Sequence, residues 1–209
     1  MKKSEESSKD FAARKLPSQE RAQMTVDSIM DATKKILEKE GYAHLTTNHI
    51  ADVAGVSIGT LYQYFSNKET IIYALIESVV SKAADELRDK LMELMTEPIQ
   101  VMIPTMTRLL LSIYKENEFV LFRIRYQVPR LKDTYAKLTT ENFTFVTNLA
   151  YLKQHQIELT VKDLNTALFI VENTITSNCI RYLEKQPSDI SEDEFIDELS
   201  SMVLKYLTE

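Results

Sequence analysis

"LTTNHIADVAGVSIGTLYQYFSNKETI", residues 45–71, decides how this chain folds. It holds two of the three glycines in the protein and three aromatic residues within four positions. Its spacing reads as two short helices joined by a tight corner. Thr47 is placed to cap the first helix with its hydroxyl, and Ile50, Ala51 and Ala54 fall on one inward face. Gly55 stands where the backbone must turn through the left-handed region, which glycine enters without steric cost. Val56 fills the corner. Ser57 is placed to cap the second helix, roughly Ser57–Phe65, with Leu61 and Phe65 four apart on its buried face. The small Ala51 and Ala54 let the two helices cross closely. The pattern is a helix-turn-helix over about residues 45–65.

Outward from this stretch the helical reading continues. Over residues 18–40, Val26, Ile29, Met30, Thr33, Ile36 and Leu37 recur on one face, with Ser18 as N-cap and Gly41 as C-cap. Asn67 caps a long amphipathic helix over 68–95 carrying Ile71, Ile72, Leu75, Ile76, Val79, Ala83, Leu87, Leu91 and Leu94. Pro98 opens the next helix, and Pro104 is placed to kink it. Further helical patterns run over 117–127, 131–155, 160–185 and 192–207. There is no glycine after Gly59. A β-rich or α/β fold with tight turns needs several, so the C-terminal part is read as long helices without glycine-rich phosphate loops.

The formal net charge is -6. Lys/Arg and Asp/Glu balance up to Glu69, so the acidity lies entirely beyond it. Phosphates are repelled by an acidic face, which leaves the neutral N-terminal part as the surface for any nucleic acid. No apolar run has the length of a membrane span, and the N-terminus lacks the apolar segment of a secretory signal. The lone Cys179 lies in an apolar stripe with Leu164, Ala167, Leu168, Val171 and Ile175, and forms no internal disulfide. A reducing cytoplasm is its expected location. No Ser/His/Asp set, metal-ligand cluster or phosphate loop points to an enzyme, and no cofactor is expected. His44 and His49 are five apart, a poor spacing for a shared metal, and are read as capping or solvated groups.

The pattern T-x-x-x-I-A-x-x-A-G-V-S-x-G-T-L-Y-x-Y-F-x-x-K-E, with the amphipathic helix before it, resembles the DNA-binding domain of TetR-family transcriptional regulators over about residues 18–76. The resemblance implies an all-α protein. A three-helix helix-turn-helix domain (17–66) would follow a flexible arm (1–16) and precede a larger helical ligand-binding and dimerisation domain (67–209). In a helix-turn-helix the second helix enters the major groove of double-stranded DNA. Ser57, Ile58, Gly59, Thr60, Gln63 and Tyr64 would then face the groove. Thr60 and Gln63 offer hydrogen bonds to bases, Ile58 offers apolar contact, and Gly59 lets backbone approach. The resemblance implies phosphate contacts from Tyr62 and Tyr64. Thr47, at a helix N-terminus, and Lys68, opening the next helix, are expected to add others. Arg14 and Lys15 in the arm are placed to reach a groove or backbone.

The resemblance further implies a homodimer reading a palindromic operator, and a small-molecule effector that changes the spacing of the two reading heads. The last two helices carry more apolar surface than a one-sided contact needs, with Ile175, Ile180, Leu183, Leu199 and Tyr206 expected at a four-helix interface. Met106, Phe122, Tyr126, Phe143, Phe145, Asn148, Phe169 and Asn173 mix aromatic and polar groups suited to a pocket for an apolar or aromatic effector. The expected activity is repression. The alternatives are activation, or an adaptor whose helix-turn-helix binds protein, since the reading surface lacks Lys and Arg.

Overall fold

The computed structural model describes residues 20–128 and 145–209, and every described element is helical. Helix α1 spans Glu20–Lys39, a 3-10 turn Tyr42–His44, α2 Thr47–Ala54, α3 Ile58–Tyr64 and α4 Lys68–Glu93. Then come α5 (Ile99–Glu116), a π turn (Phe119–Arg123) and α6 (Ile124–Gln127). The second described stretch holds α7 (Phe145–Gln154), a 3-10 turn (Gln156–Glu158), α8 (Leu164–Lys185) and α9 (Glu192–Thr208). The chain divides into two compact units. One takes the chain up to Ser81 together with the segment from Glu118, and the other takes Lys82–Asn117 and Asn142–Glu209.

The first unit is built on α1. Val26, Ile29, Met30, Thr33, Ile36 and Leu37 are all buried, as their spacing predicts. The one polar member is satisfied: the Thr33 hydroxyl donates to the Ile29 carbonyl at 2.8 Å. Gly41 ends the helix at φ 80°, ψ 171°, a region that strongly favours glycine. Its N–H donates to the carbonyls of Ile36 and Leu37, each at 3.2 Å. The proposed Ser18 cap and the arm 1–16, with Arg14 and Lys15, lie outside the described residues. Against α1 pack Leu45, Ile50, Ala51, Leu61 and Phe65, and from α4 Ile71, Ile72, Leu75 and Ile76. Fully burying each of the Leu, Ile and Phe side chains contributes about 1.5–3 kcal/mol. Asn67 caps α4 as expected, its Oδ1 accepting from the Thr70 N–H at 2.9 Å.

A segment far along the chain completes this core. Val120, Ile124 and Val128 are buried among the residues of α1 to α4. The helix read over 117–127 is present, as a π-helical segment Phe119–Arg123 running into α6. The Gln127 side chain accepts from the Tyr42 backbone N–H at 3.2 Å.

The second unit packs Leu91, Ile99, Met102, Ile103, Tyr151, Leu152, Ala167, Leu168, Val171, Val203 and Leu207 into one core. Pro98 precedes α5 at φ -65°, and Pro104 lies inside that helix. Asp163 caps α8 by accepting from Thr166 N–H at 2.6 Å. Ser191 and Glu194 form a capping box on α9. With no glycine available, Gln186 takes the left-handed position after α8, at φ 44°. The turn between α4 and α5 is clamped from α7: Tyr151 donates to the Glu97 carbonyl at 2.7 Å, and Gln154 to that of Met95 at 3.0 Å. Cys179 is fully buried, and burial pushes its thiol pKa up to about 12. That is an inert thiol rather than a nucleophile.

Candidate nucleic-acid interface

Helix α2 begins one residue earlier than its pattern suggests. Thr46, not Thr47, is the N-cap: its backbone is extended, and its hydroxyl accepts from the His49 N–H at 3.1 Å. Two threonines in a row made the cap ambiguous, and the extended backbone at Thr46 decides it. Thr47 is thereby freed for another task. Its Oγ1 lies 3.0 Å from the Tyr62 hydroxyl on α3.

The corner is as its residues dictate. Gly55 sits at φ 69°, ψ 28°. Its N–H donates to the Asp52 carbonyl at 3.2 Å, and the Val56 N–H to that of Ala51 at 3.0 Å. This pair of bonds is the Schellman motif, which satisfies carbonyls the ended helix leaves over. Ser57 then caps α3, its Oγ accepting from the Thr60 N–H at 3.0 Å. The Ser57 and Thr60 hydroxyls also pair at 2.8 Å. Helix α3 stops at Tyr64, and Phe65 leaves it in extended backbone while remaining buried.

With Leu61 and Phe65 in the core, α3 turns Ile58, Gly59, Tyr62 and Gln63 outward, and Thr60 is half-buried. Tyr62 is 43% exposed. Tyr64 is half-buried and packs against the core. It stands three residues after Leu61 and so shares that face of the helix. Lys68, expected at a phosphate, has two contacts within the head. Its Nζ donates to the Leu45 carbonyl at 2.9 Å and lies 3.9 Å over the Tyr42 ring. The two histidines serve local structure: His44 Nδ1 lies 2.8 Å from the Glu40 carbonyl, and His49 Nε2 lies 3.7 Å from the Glu40 carboxylate. Among the described residues no group of His, Cys, Asp and Glu is arranged to hold a metal ion.

The residues picked for an effector pocket are shared between the two units. Phe122 is buried and Tyr126 72% exposed, both in the first unit. In the second unit Met106 lies at the core's edge and Phe169 is 61% exposed. Asn173 is spent on the Phe169 carbonyl at 2.7 Å. Phe143 lies outside the described residues, as does the side chain of Phe145. Asn148 donates to the Glu172 carboxylate at 2.8 Å. Burial raises the Glu172 pKa, and the hydrogen bond from Asn148 opposes it. One turn further along α8, Thr176 hydrogen-bonds Tyr114, whose hydroxyl burial also shifts upward. Glu172 and Thr176 stand four apart on one side of α8. Nothing in one strand of sequence showed that α5 and α7 would supply partners for it.

Of the residues picked for a dimer face, Leu183 and Leu199 are buried within their own unit, so that surface is already taken up. Ile175 and Ile180 are half-buried, and Tyr206 is exposed together with Met202 four residues before it.

Two short helices at a glycine corner, set against α1, with the second turning an uncharged face outward, are a helix-turn-helix DNA-reading head. Residues 29–75 match the profile of "Bacterial regulatory proteins, tetR family". An HTH-type transcriptional regulator of Staphylococcus aureus is 25% identical over 180 residues, covering 85% of this chain and 91% of its own. The HTH-type transcriptional regulator TtgR of Pseudomonas putida is 33% identical over 102 residues, 49% of this chain and 46% of its own length. The solved structure of a putative TetR-family transcriptional regulator from Mesorhizobium loti superposes with a TM-score of 0.71 at 17% identity, covering 90% of this chain and 97% of that one. The N-terminal part of the chain thus carries the DNA-binding domain of TetR-type bacterial regulators, and the Staphylococcus aureus and Pseudomonas putida relatives are both transcriptional regulators. Among the described residues no helix is long and apolar enough to cross a membrane.

Proposed function

We propose that the chain is a cytoplasmic, homodimeric repressor that binds a palindromic operator in double-stranded DNA and is released by a small apolar or aromatic effector. Residues 17–66 are the DNA-binding domain and 67–209 the ligand-binding and dimerisation domain, with no catalytic step assigned to either. One observation carries the DNA-reading part: α3 presents Ile58, Gly59, Tyr62 and Gln63 outward from a core-locked corner, with the Thr47 hydroxyl beside that of Tyr62. Gln63 suits an adenine edge and Ile58 a thymine methyl. Ser57 and Thr60, whose hydroxyls already pair, and Tyr64 border that surface. Thr47, Tyr62 and the first-turn amides of α2 suit phosphates.

Between residues 47 and 64 there is no Lys or Arg. Electrostatic affinity per head is therefore low, and two heads on one duplex gain by acting together. Met202 and Tyr206 on α9, with Ile175 and Ile180 on α8, are the apolar surface offered to a second copy. In the second unit, the Asn148–Glu172 and Thr176–Tyr114 pairs are polar groups suited to orient an effector within an apolar lining. An effector releases DNA only by binding the DNA-incompetent state more tightly.

The test is selection of duplexes from a random pool by the purified protein, followed by titration at two salt concentrations and a promoter–reporter assay. Specific binding to a palindrome by a dimer, with the reporter lowered, is the expected result. Failure to select any duplex sinks the reading in favour of an adaptor, and a raised reporter makes the protein an activator.

A further inference from the structure

We infer that Lys68 acts in DNA binding as a positioning residue, holding the entry to α2 in place from inside the head, and not as a contact to a phosphate. The inference rests on the DNA-reading proposal above.

Lysine at the first position of α4 is at the wrong end for its charge, because the N-terminus of a helix is its positive pole. A cation there needs an acceptor elsewhere. The ammonium finds one on the Leu45 carbonyl, at 2.9 Å, and it lies over the face of the Tyr42 ring at 3.9 Å. Aromatic faces attract cations at this distance. Tyr42 is itself held: its hydroxyl donates to the Glu69 carboxylate at 2.5 Å, and its backbone N–H donates to Gln127. Both charged side chains at the start of α4 are thus tied to one tyrosine. A lysine committed to a ring and a carbonyl, with a carboxylate tied to the same ring's hydroxyl, offers a phosphate little net field.

What Lys68 grips is the point that sets the reading geometry. Leu45 is fully buried, and its carbonyl is one residue before the Thr46 cap. Thr47 follows, with its hydroxyl against Tyr62. Losing the grip at Leu45 lets the first turn of α2 shift, and the Thr47–Tyr62 pair goes with it. The role is geometric, so it separates from charge in experiment.

The measurement is the salt dependence of binding to the selected duplex by the full chain and by Lys68→Met and Lys68→Gln, each checked for helicity and Tm. A phosphate contact contributes roughly 0.9 per subunit to the slope of log K against log salt. A positioning residue contributes nothing to that slope, and its loss weakens binding on the order of tenfold at every salt concentration. Weaker binding at unchanged slope is the expected result. A slope reduced by roughly 0.9 per subunit overturns the inference. So does unchanged affinity with a lowered Tm, the signature of a role in stability alone. A second arm needs no DNA. Acetylation of the free protein should label Lys68 several-fold more slowly than the exposed Lys35 and Lys39 of α1, and equal rates would overturn the inward grip even if no duplex is ever selected.

Discussion

The hydroxyls of Thr47 and Tyr62 stand 3.0 Å apart, one from the first turn of α2 and one from the outer face of α3. Each residue alone is an ordinary surface polar group. Together they tie the two helices on the side away from the core, and the one hydroxyl proton that the pair does not use is left to donate outward.

The pair yields the first prediction. Tyr62→Phe keeps the ring and removes the hydroxyl, and Thr47→Val does the same for its partner. Each should weaken operator binding by roughly tenfold, the scale of one hydrogen bond to a charged group. The double variant should lose less than the product of the two, because either change breaks the shared pair. Fluorescence anisotropy on the four proteins checks this, and strictly additive losses would show the hydroxyls acting separately.

Gly55 and Gly59 should behave oppositely. At Gly55 an added Cβ meets nothing within 4 Å, but the backbone is left-handed at φ 69°. Gly55→Ala should therefore cost about 1 kcal/mol through backbone strain alone. Gly59 is helical, and its Cβ would meet Ser57 Oγ at an ordinary 3.7 Å. Gly59→Ala should stabilise the fold by roughly 0.5–1 kcal/mol. It should also weaken DNA binding, by placing a methyl where backbone approaches the groove. Thermal melts and binding titrations on both variants separate the effects.

His155 should make stability depend on pH. Its Nε2 is 3.0 Å from the Met95 carbonyl and its Nδ1 3.1 Å from the Glu158 carboxylate. Only the doubly protonated ring donates to both. It also stacks on Tyr151 at 4.3 Å, and its side chain is only 10% exposed. The Met95 bond is the main cause of its raised pKa, helped by Glu158 and opposed by burial. A raised folded-state pKa stabilises most below the unfolded value near 6.5, and the benefit is lost as pH rises through the folded value. The Tm should fall across that window, and His155→Gln should flatten the fall. An identical profile in the variant would remove His155 as the cause.

Ser200 is 3% exposed, and its hydroxyl is the one buried side-chain polar atom among the described residues without a hydrogen-bond partner. It lines a shallow groove of about 380 Å³ beside Pro104, Ser201 and Leu204. Removing an unsatisfied buried hydroxyl relieves a desolvation cost of about 1–3 kcal/mol. Ser200→Ala should raise Tm by a few degrees in a scanning melt, and a lowered Tm would mean that the hydroxyl is satisfied in solution.

Local rules were enough to read most of the DNA-reading head. Gly55 could only be a left-handed corner, Ser57 and Asn67 could only be caps, and helical spacing put Ile50, Leu61 and Phe65 inside. These depend on backbone sterics and on neighbours a turn away, which the order of residues already contains. The same local logic misplaced the α2 cap by one residue, since adjacent threonines are equivalent until the backbone shows which is extended. It also set Tyr64 outside, although three residues from Leu61 is the buried side.

Everything that depends on distant partners waited for the tertiary structure. Lys68 reads in sequence as a free cation next to a DNA-binding helix, and only folding brings Tyr42 and the Leu45 carbonyl under it. Val120, Ile124 and Val128 complete the core of the head from far down the chain, which periodicity within one helix cannot announce. Leu183 and Leu199 looked like interface because apolar stripes have the same spacing whether a neighbour is in the same chain or another. The sequence by itself determined which elements form and where they turn, because those are short-range steric facts. Which side chains remain available for DNA, effector or partner was decided only by packing, because availability is what is left after distant residues have taken their contacts.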